Sequence, residues 1–145
     1  MQNIFLSNFL NDDYFSRVSN ELSKSSNIFV GGFFKKDNIY NEKINYFNYS
    51  NFSNRSLFYK LKIDYSNKLN FNDIEFLEKN FYLYAQCCDR TFIKKISVRS
   101  HKKFYTDVCT YLISVFKEKK ISKIVLSDTP RLPVEIILYI VAKLL

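Results

Sequence analysis

The chain has 145 residues, 47% of them hydrophobic and 18% aromatic, with a formal charge of +8. That length and apolar content bury a real core in one domain and exclude global disorder. The positive charge points to anionic partners such as nucleic acid, an acidic membrane surface or phosphorylated molecules, and it fits a Lys-rich solvated surface equally.

Cys87, Cys88 and Cys109 show no metal-ligand spacing, and an odd count with an adjacent pair makes a poor disulfide framework. They read as reduced thiols on helices of a cytosolic protein. No metal and no cofactor is expected. The opening MQNIFLSNFLNDD has no basic leader and no long apolar run, so no signal peptide is expected. Val134 to Leu145 falls short of the roughly 20 residues a bilayer span needs.

The apolar run Ile4-Phe5-Leu6 reads as a buried first strand. Ser7, Asn8, Asn11, Asp12 and Asp13 follow as cap and turn formers, and Phe15, Val18 and Leu22 then recur at helical spacing. Ile28-Phe29-Val30 is a second strand, closed by Gly31-Gly32 as a tight turn. Strand, helix and strand in that order build parallel sheets.

Between Lys35 and Asn54 the pattern weakens, and Ile44 and Tyr46 alternate as on an edge strand. Leu57, Phe58 and Leu61 predict a short helix, and Asp64 to Asn70 a polar connection. Asn72 with Glu75 resembles a capping box opening a long helix through Ile74, Leu77, Phe81, Tyr84, Ala85, Cys88 and Phe92. A basic junction, Arg90 to Lys103, precedes a second amphipathic helix through Phe104, Val108, Tyr111, Leu112 and Val115. That helix ends in Lys117-Glu118-Lys119-Lys120, where cations suit the macrodipole. Ile124-Val125-Leu126 is the last strand, followed by Ser127-Asp128-Thr129-Pro130-Arg131-Leu132 and a helix from Pro133.

Strands alternating with helices predict a three-layer α/β fold with a small, mostly parallel sheet and a helix-rich second half. In a doubly wound order the first strand and the Ile124 strand are neighbours at the topological switch point. Their loops, Ser7 to Asp13 and Ser127 to Pro133, would then share a crevice. Ser127, Asp128, Thr129 and Arg131 offer hydroxyls, a carboxylate and a guanidinium there, and an anion would be held by Arg131 with the N–H groups of the helix start. Ser7, Asn8, Asp12 and Asp13 suit sugar or ribose hydroxyls, and serve equally as helix caps.

No GxGxxG occurs. His101, the sole histidine, stands among Arg99, Lys102 and Lys103 as a surface residue, and no nucleophile, histidine and acid combination is present. Arg90, Lys94, Lys95, Arg99, Lys102 and Lys103 form a candidate anion or membrane surface beside Phe92 and Tyr105, or a solvated helix junction.

Asp128-Thr129-Pro130-Arg131-Leu132-Pro133, continuing into Leu138-Tyr139-Ile140-Val141-Ala142-Lys143, resembles bacterial capsular and surface polysaccharide biosynthesis proteins of the glycosyltransferase-like kind. Tyr82, Tyr84, Asp89 and Arg90 on the preceding helix are similar too. The resemblance covers about the second half of the chain and, loosely, the first strand. It implies a Rossmann-like N-terminal, acceptor-side part of a two-domain GT-B-like transferase, whose second domain holds most of a nucleotide-sugar. A lipid-linked or glycan acceptor and peripheral contact with an anionic inner-membrane face are then expected. Arg131 stands where the family pattern has histidine, so no acid/base role follows for it. The expectation is a fragment that is not active alone. The alternative is a non-catalytic basic module that binds nucleic acid or a protein partner.

Overall fold

The computed structural model describes residues 2–8, 13–33, 45–61, 69–91 and 97–145, with the backbone alone for 13–16 and 89–91. The elements in chain order are β1 (Gln2–Ser7), α1 (Asp13–Leu22), β2 (Ser26–Gly32), β3 (Asn45–Asn48), α2 (Ser50–Ser53), α3 (Arg55–Phe58), α4 (Phe71–Thr91), α5 (Val98–Glu118), β4 (Lys123–Leu126) and α6 (Pro133–Leu144). Ile44, Phe92 and the stretch from Asp64 to Lys68 lie outside the described residues.

The fold is α/β and Rossmann-like. All strand pairs are parallel, in the order β3-β2-β1-β4. That order reverses direction between β1 and β4, which is the switch point of a doubly wound sheet. The chain forms two compact units, a sheet unit (Met1–Asn51 with Lys117–Thr129) and a helical unit (Phe52–Phe116 with Pro130–Leu145).

In the sheet unit, Ile4, Leu6, Ile28 and Val30 form a cluster on one face of the central strands, with Val18 and Leu22 of α1 and Tyr46 packed against it. Phe5 and Phe29 point the other way and are also buried, each meeting the Phe47 ring. Burial on both faces is why these strands read as unbroken apolar runs rather than as alternation. In β4 only alternate positions are half-covered, and Val125 is exposed.

Gly31 and Gly32 lie inside β2 rather than in the expected turn, and no glycine has a positive φ. Gly31 is needed for space. A Cβ there would lie 2.6 Å from Phe5 Cζ and from Tyr49 Oη, and closer still to Tyr49 Cε1.

In the helical unit, α4 and α6 pack together, and Leu77, Tyr84 and Cys88 are buried with Phe104, Val108, Leu112, Ile137, Leu138 and Val141. The box that opens α4 sits two residues before the expected one. Asn70 Oδ1 accepts the Asp73 N–H (2.8 Å), and Asp73 Oδ2 accepts the Asn70 N–H (3.4 Å). Asn70 and Asp73 share the spacing of Asn72 and Glu75, so spacing alone could not choose between them. The basic stretch is less of a junction than expected. Arg90 lies in the last turn of α4, and Arg99, Lys102 and Lys103 lie in α5. Ser97 caps that helix, its Oγ accepting the Ser100 N–H at 3.3 Å.

Candidate functional site

β1 and β4 run side by side with Ser7 opposite Leu126, and the Ser127 N–H donates to the Ser7 carbonyl at 3.2 Å. The two strands therefore release their C-terminal loops at one edge of the sheet. At Asn8 the backbone turns into the left-handed region (φ 62°), and its N–H donates to the Gly31 carbonyl at 2.7 Å. Asparagine is among the few non-glycine residues that tolerate this conformation. On the β4 side, Asp128 Oδ1 accepts the Thr129 N–H at 2.7 Å, and both residues are exposed.

Ser7 does not open to a ligand as expected. It is 1% exposed, and its Oγ accepts a hydrogen bond of 2.5 Å from the buried Tyr49 hydroxyl. Alternation along β1 puts Ser7 on the same face as Phe5, so its hydroxyl points inward. Its role here is support. Tyr49 is itself tied to β2, its N–H donating to the Gly32 carbonyl at 2.8 Å, and it meets Phe33 edge-on at 5.7 Å. Sequence reasoning missed Tyr49, which lies in an Asn/Tyr-rich stretch without usable periodicity. Asp12 lies outside the described residues, and of Asp13 only the backbone is described, at the start of α1.

Ser127, Asp128 and Thr129 belong to the sheet unit, whereas Arg131 belongs to the helical unit. Just ahead of the helix start, the backbone N–H groups of Arg131 and Leu132 are donated to Glu135 Oε2 at 2.9 and 3.0 Å. Leu132 occupies the N-cap position without a side-chain acceptor, and the buried Glu135 carboxylate at the third helical position reaches back to accept its N–H. On the other side of the same turn, the Cys87 thiol donates to the Arg131 carbonyl at 2.8 Å. Arg131, Pro130, Leu83, Gln86, Cys87 and Ile136 line a cavity of about 400 Å³ within the helical unit.

The basic cluster divides differently from its sequence. Lys94 and Lys95 lie outside the described residues, and of Arg90 only the backbone is described. Lys102 pairs with Glu78 at 2.7 Å, and Lys103 with Asp107 at 2.5 Å. Tyr59 Oη donates to the same Asp107 carboxylate at 2.8 Å, and the Lys103 ammonium stands 5.4 Å from the Tyr59 ring centroid. The hydrogen bond that Lys103 donates to Asp107 holds its pKa above the ordinary lysine value. Arg99, Lys102, Lys103, Thr106 and Asp107 line a shallow depression of about 290 Å³ in which lysine charge is matched by carboxylates. His101 is half-buried on α5 rather than a plain surface residue.

The remaining thiols are structural in setting. Cys109 is fully buried, and that burial pushes its pKa up strongly. Burial likewise raises Tyr84 and Tyr105, and the Tyr105 hydroxyl donates to the Leu77 carbonyl at 3.0 Å. Among the described residues, no group of three or more His, Cys, Asp or Glu is placed to hold a metal, and no helix is long and apolar enough to cross a membrane.

Fold and edge geometry define an α/β, Rossmann-like chain with a polar switch-point edge. No protein-family model, curated protein or solved structure matches it.

Proposed function

We propose that this chain is the acceptor-side, Rossmann-like part of a glycosyltransferase-like protein of surface or capsular polysaccharide biosynthesis. The observation that carries the reading is the pairing of β1 with β4, with the Ser127 N–H bonded to the Ser7 carbonyl. Open α/β sheets bind ligands at this reversal of strand order, beyond the carboxyl ends of the strands.

Asn8, Ser127, Asp128 and Thr129 would meet the hydroxyls of a glycan acceptor there, with Ser7 and Tyr49 holding the strand ends beneath them. The donor phosphates of a nucleotide-sugar would be neutralised by a partner domain. A charge of +8 suits work at the cytoplasmic membrane face on a lipid-linked acceptor. On this reading the chain binds the acceptor and does not turn over alone. A basic module for nucleic acid gains no support from α5, where Lys102 and Lys103 each face a carboxylate.

Calorimetric titration of the full chain with a lipid-linked oligosaccharide and, separately, with a nucleoside-diphosphate sugar tests the reading. The oligosaccharide binds, and Asp128→Asn combined with Thr129→Val weakens it about tenfold, as the loss of a charge-assisted hydrogen bond does. Absence of oligosaccharide binding overturns the proposal, whether or not the nucleoside-diphosphate sugar binds.

A further inference from the structure

The cavity between α4, the Pro130-Arg131 turn and α6 lies wholly in the helical unit. We propose that it binds a small organic monoanion, a carboxylate carried on an apolar body. Its volume of about 400 Å³ falls in the range of small-molecule sites. Leu83, Gln86 and Cys87 are spaced i, i+3, i+4, so one face of α4 supplies one wall. Leu83, Pro130 and Ile136 give that space an apolar lining, and it is also lined by the exposed Gln86 and Arg131, residues that carry an amide and a guanidinium.

The wall that carries Arg131 is held from both sides. The Cys87 thiol donates to its carbonyl, and Glu135 accepts its N–H and that of Leu132. The guanidinium therefore projects from a fixed backbone position, which lowers the ordering cost of binding.

The choice of ligand follows from two features. A guanidinium fork matches a carboxylate with two parallel hydrogen bonds. The Glu135 carboxylate, behind the same turn, repels additional negative charge, so a dianionic phosphate is held less well than a monoanion.

The test is an amide-resolved NMR titration of the full chain with hexanoate, its uncharged analogue hexanamide, and inorganic phosphate. Hexanoate produces saturable shifts at Leu83, Gln86, Cys87, Arg131 and Ile136, and it slows alkylation of Cys87. Hexanamide binds the wild type about tenfold more weakly than hexanoate, and hexanoate binds Arg131→Gln about tenfold more weakly than wild type. Phosphate also binds more weakly than hexanoate. Arg131→Gln keeps the backbone contacts to Cys87 and Glu135, its fold is checked by its amide spectrum, and Gln86→Ala provides a second variant with a smaller loss. Equal binding of hexanoate and hexanamide, undiminished binding by Arg131→Gln, tighter binding of phosphate, or shifts scattered without saturation each overturn the assignment. Glycan binding at the sheet edge involves other residues and another ligand, so either reading can fail while the other stands.

Discussion

Gly31→Ala isolates the packing that closes the C-terminal end of the sheet. The added Cβ would lie 2.6 Å from Phe5 Cζ and from Tyr49 Oη, and nearer still to Tyr49 Cε1. Real Cβ contacts do not come this close, so the Tyr49 ring must move. Overpacking of this kind costs about 1–3 kcal/mol. Tyr49 and Ser7 are each 1% exposed, and displacing the ring breaks their 2.5 Å hydrogen bond. That loss adds about 1 kcal/mol.

The sum, roughly 3 kcal/mol, lowers Tm by about 10 °C in a chain of this size. Urea denaturation followed by circular dichroism measures it, with an unchanged m-value expected because the surface exposed on unfolding is the same. Repeating the substitution in a Tyr49→Ala background removes the main obstacle, so the two changes couple by about 1 kcal/mol or more. A loss below about 0.5 kcal/mol for Gly31→Ala, or strict additivity with Tyr49→Ala, would refute the argument that space alone demands glycine here.

The α4 cap gives a second test: Asn70→Ala costs about 1 kcal/mol in urea denaturation, whereas Asn72→Ala is close to neutral, and the reverse ranking would return the box to Asn72 and Glu75. The third concerns alkaline pH. Burial raises the Cys109 thiol in the folded state, so above its ordinary value of 9.0 the unfolded chain loses that proton while the folded chain keeps it, and stability falls as pH rises. Cys109→Ala is less stable near neutrality because it leaves a cavity. Its stability between about pH 9 and 10 declines less steeply than wild type, by at most about 1.4 kcal/mol per pH unit. Parallel profiles for the two proteins would contradict this account.

Much of the fold is legible because β1 and β2 are buried on both faces and α4 and α5 on one. The first case leaves continuous apolar runs and the second leaves helical spacing, and either pattern is local. The neighbourhood of β1 and β4 follows from strand-helix alternation together with the usual doubly wound order. Where two solutions share one spacing, as with Asn70-Asp73 and Asn72-Glu75, the pattern cannot choose. The structure pairs Asn70 with Asp73 at the start of α4.

The candidate site was less legible. Ser7, Asn8 and the loop from Ser127 to Thr129 were named from their place after apolar strands, and parallel pairing does bring those loops to one edge. Which partners cover their groups was not encoded locally. Ser7 turns toward Tyr49, 42 residues away in sequence, and Gly31 is glycine because of that same ring rather than for a turn. The backbone of Arg131 is fixed by Glu135, four residues on, which accepts its N–H and that of Leu132, a contact that the loop's composition does not announce.

Residue types, periodicities and strand order were thus properties of the sequence by itself, because burial on a given element imprints its own period on the chain. The partners of Ser7, Gly31, Arg131 and Cys87 were decided only by tertiary structure. A hydrogen bond or a steric limit between distant residues depends on where two backbones meet, and local composition does not carry that information.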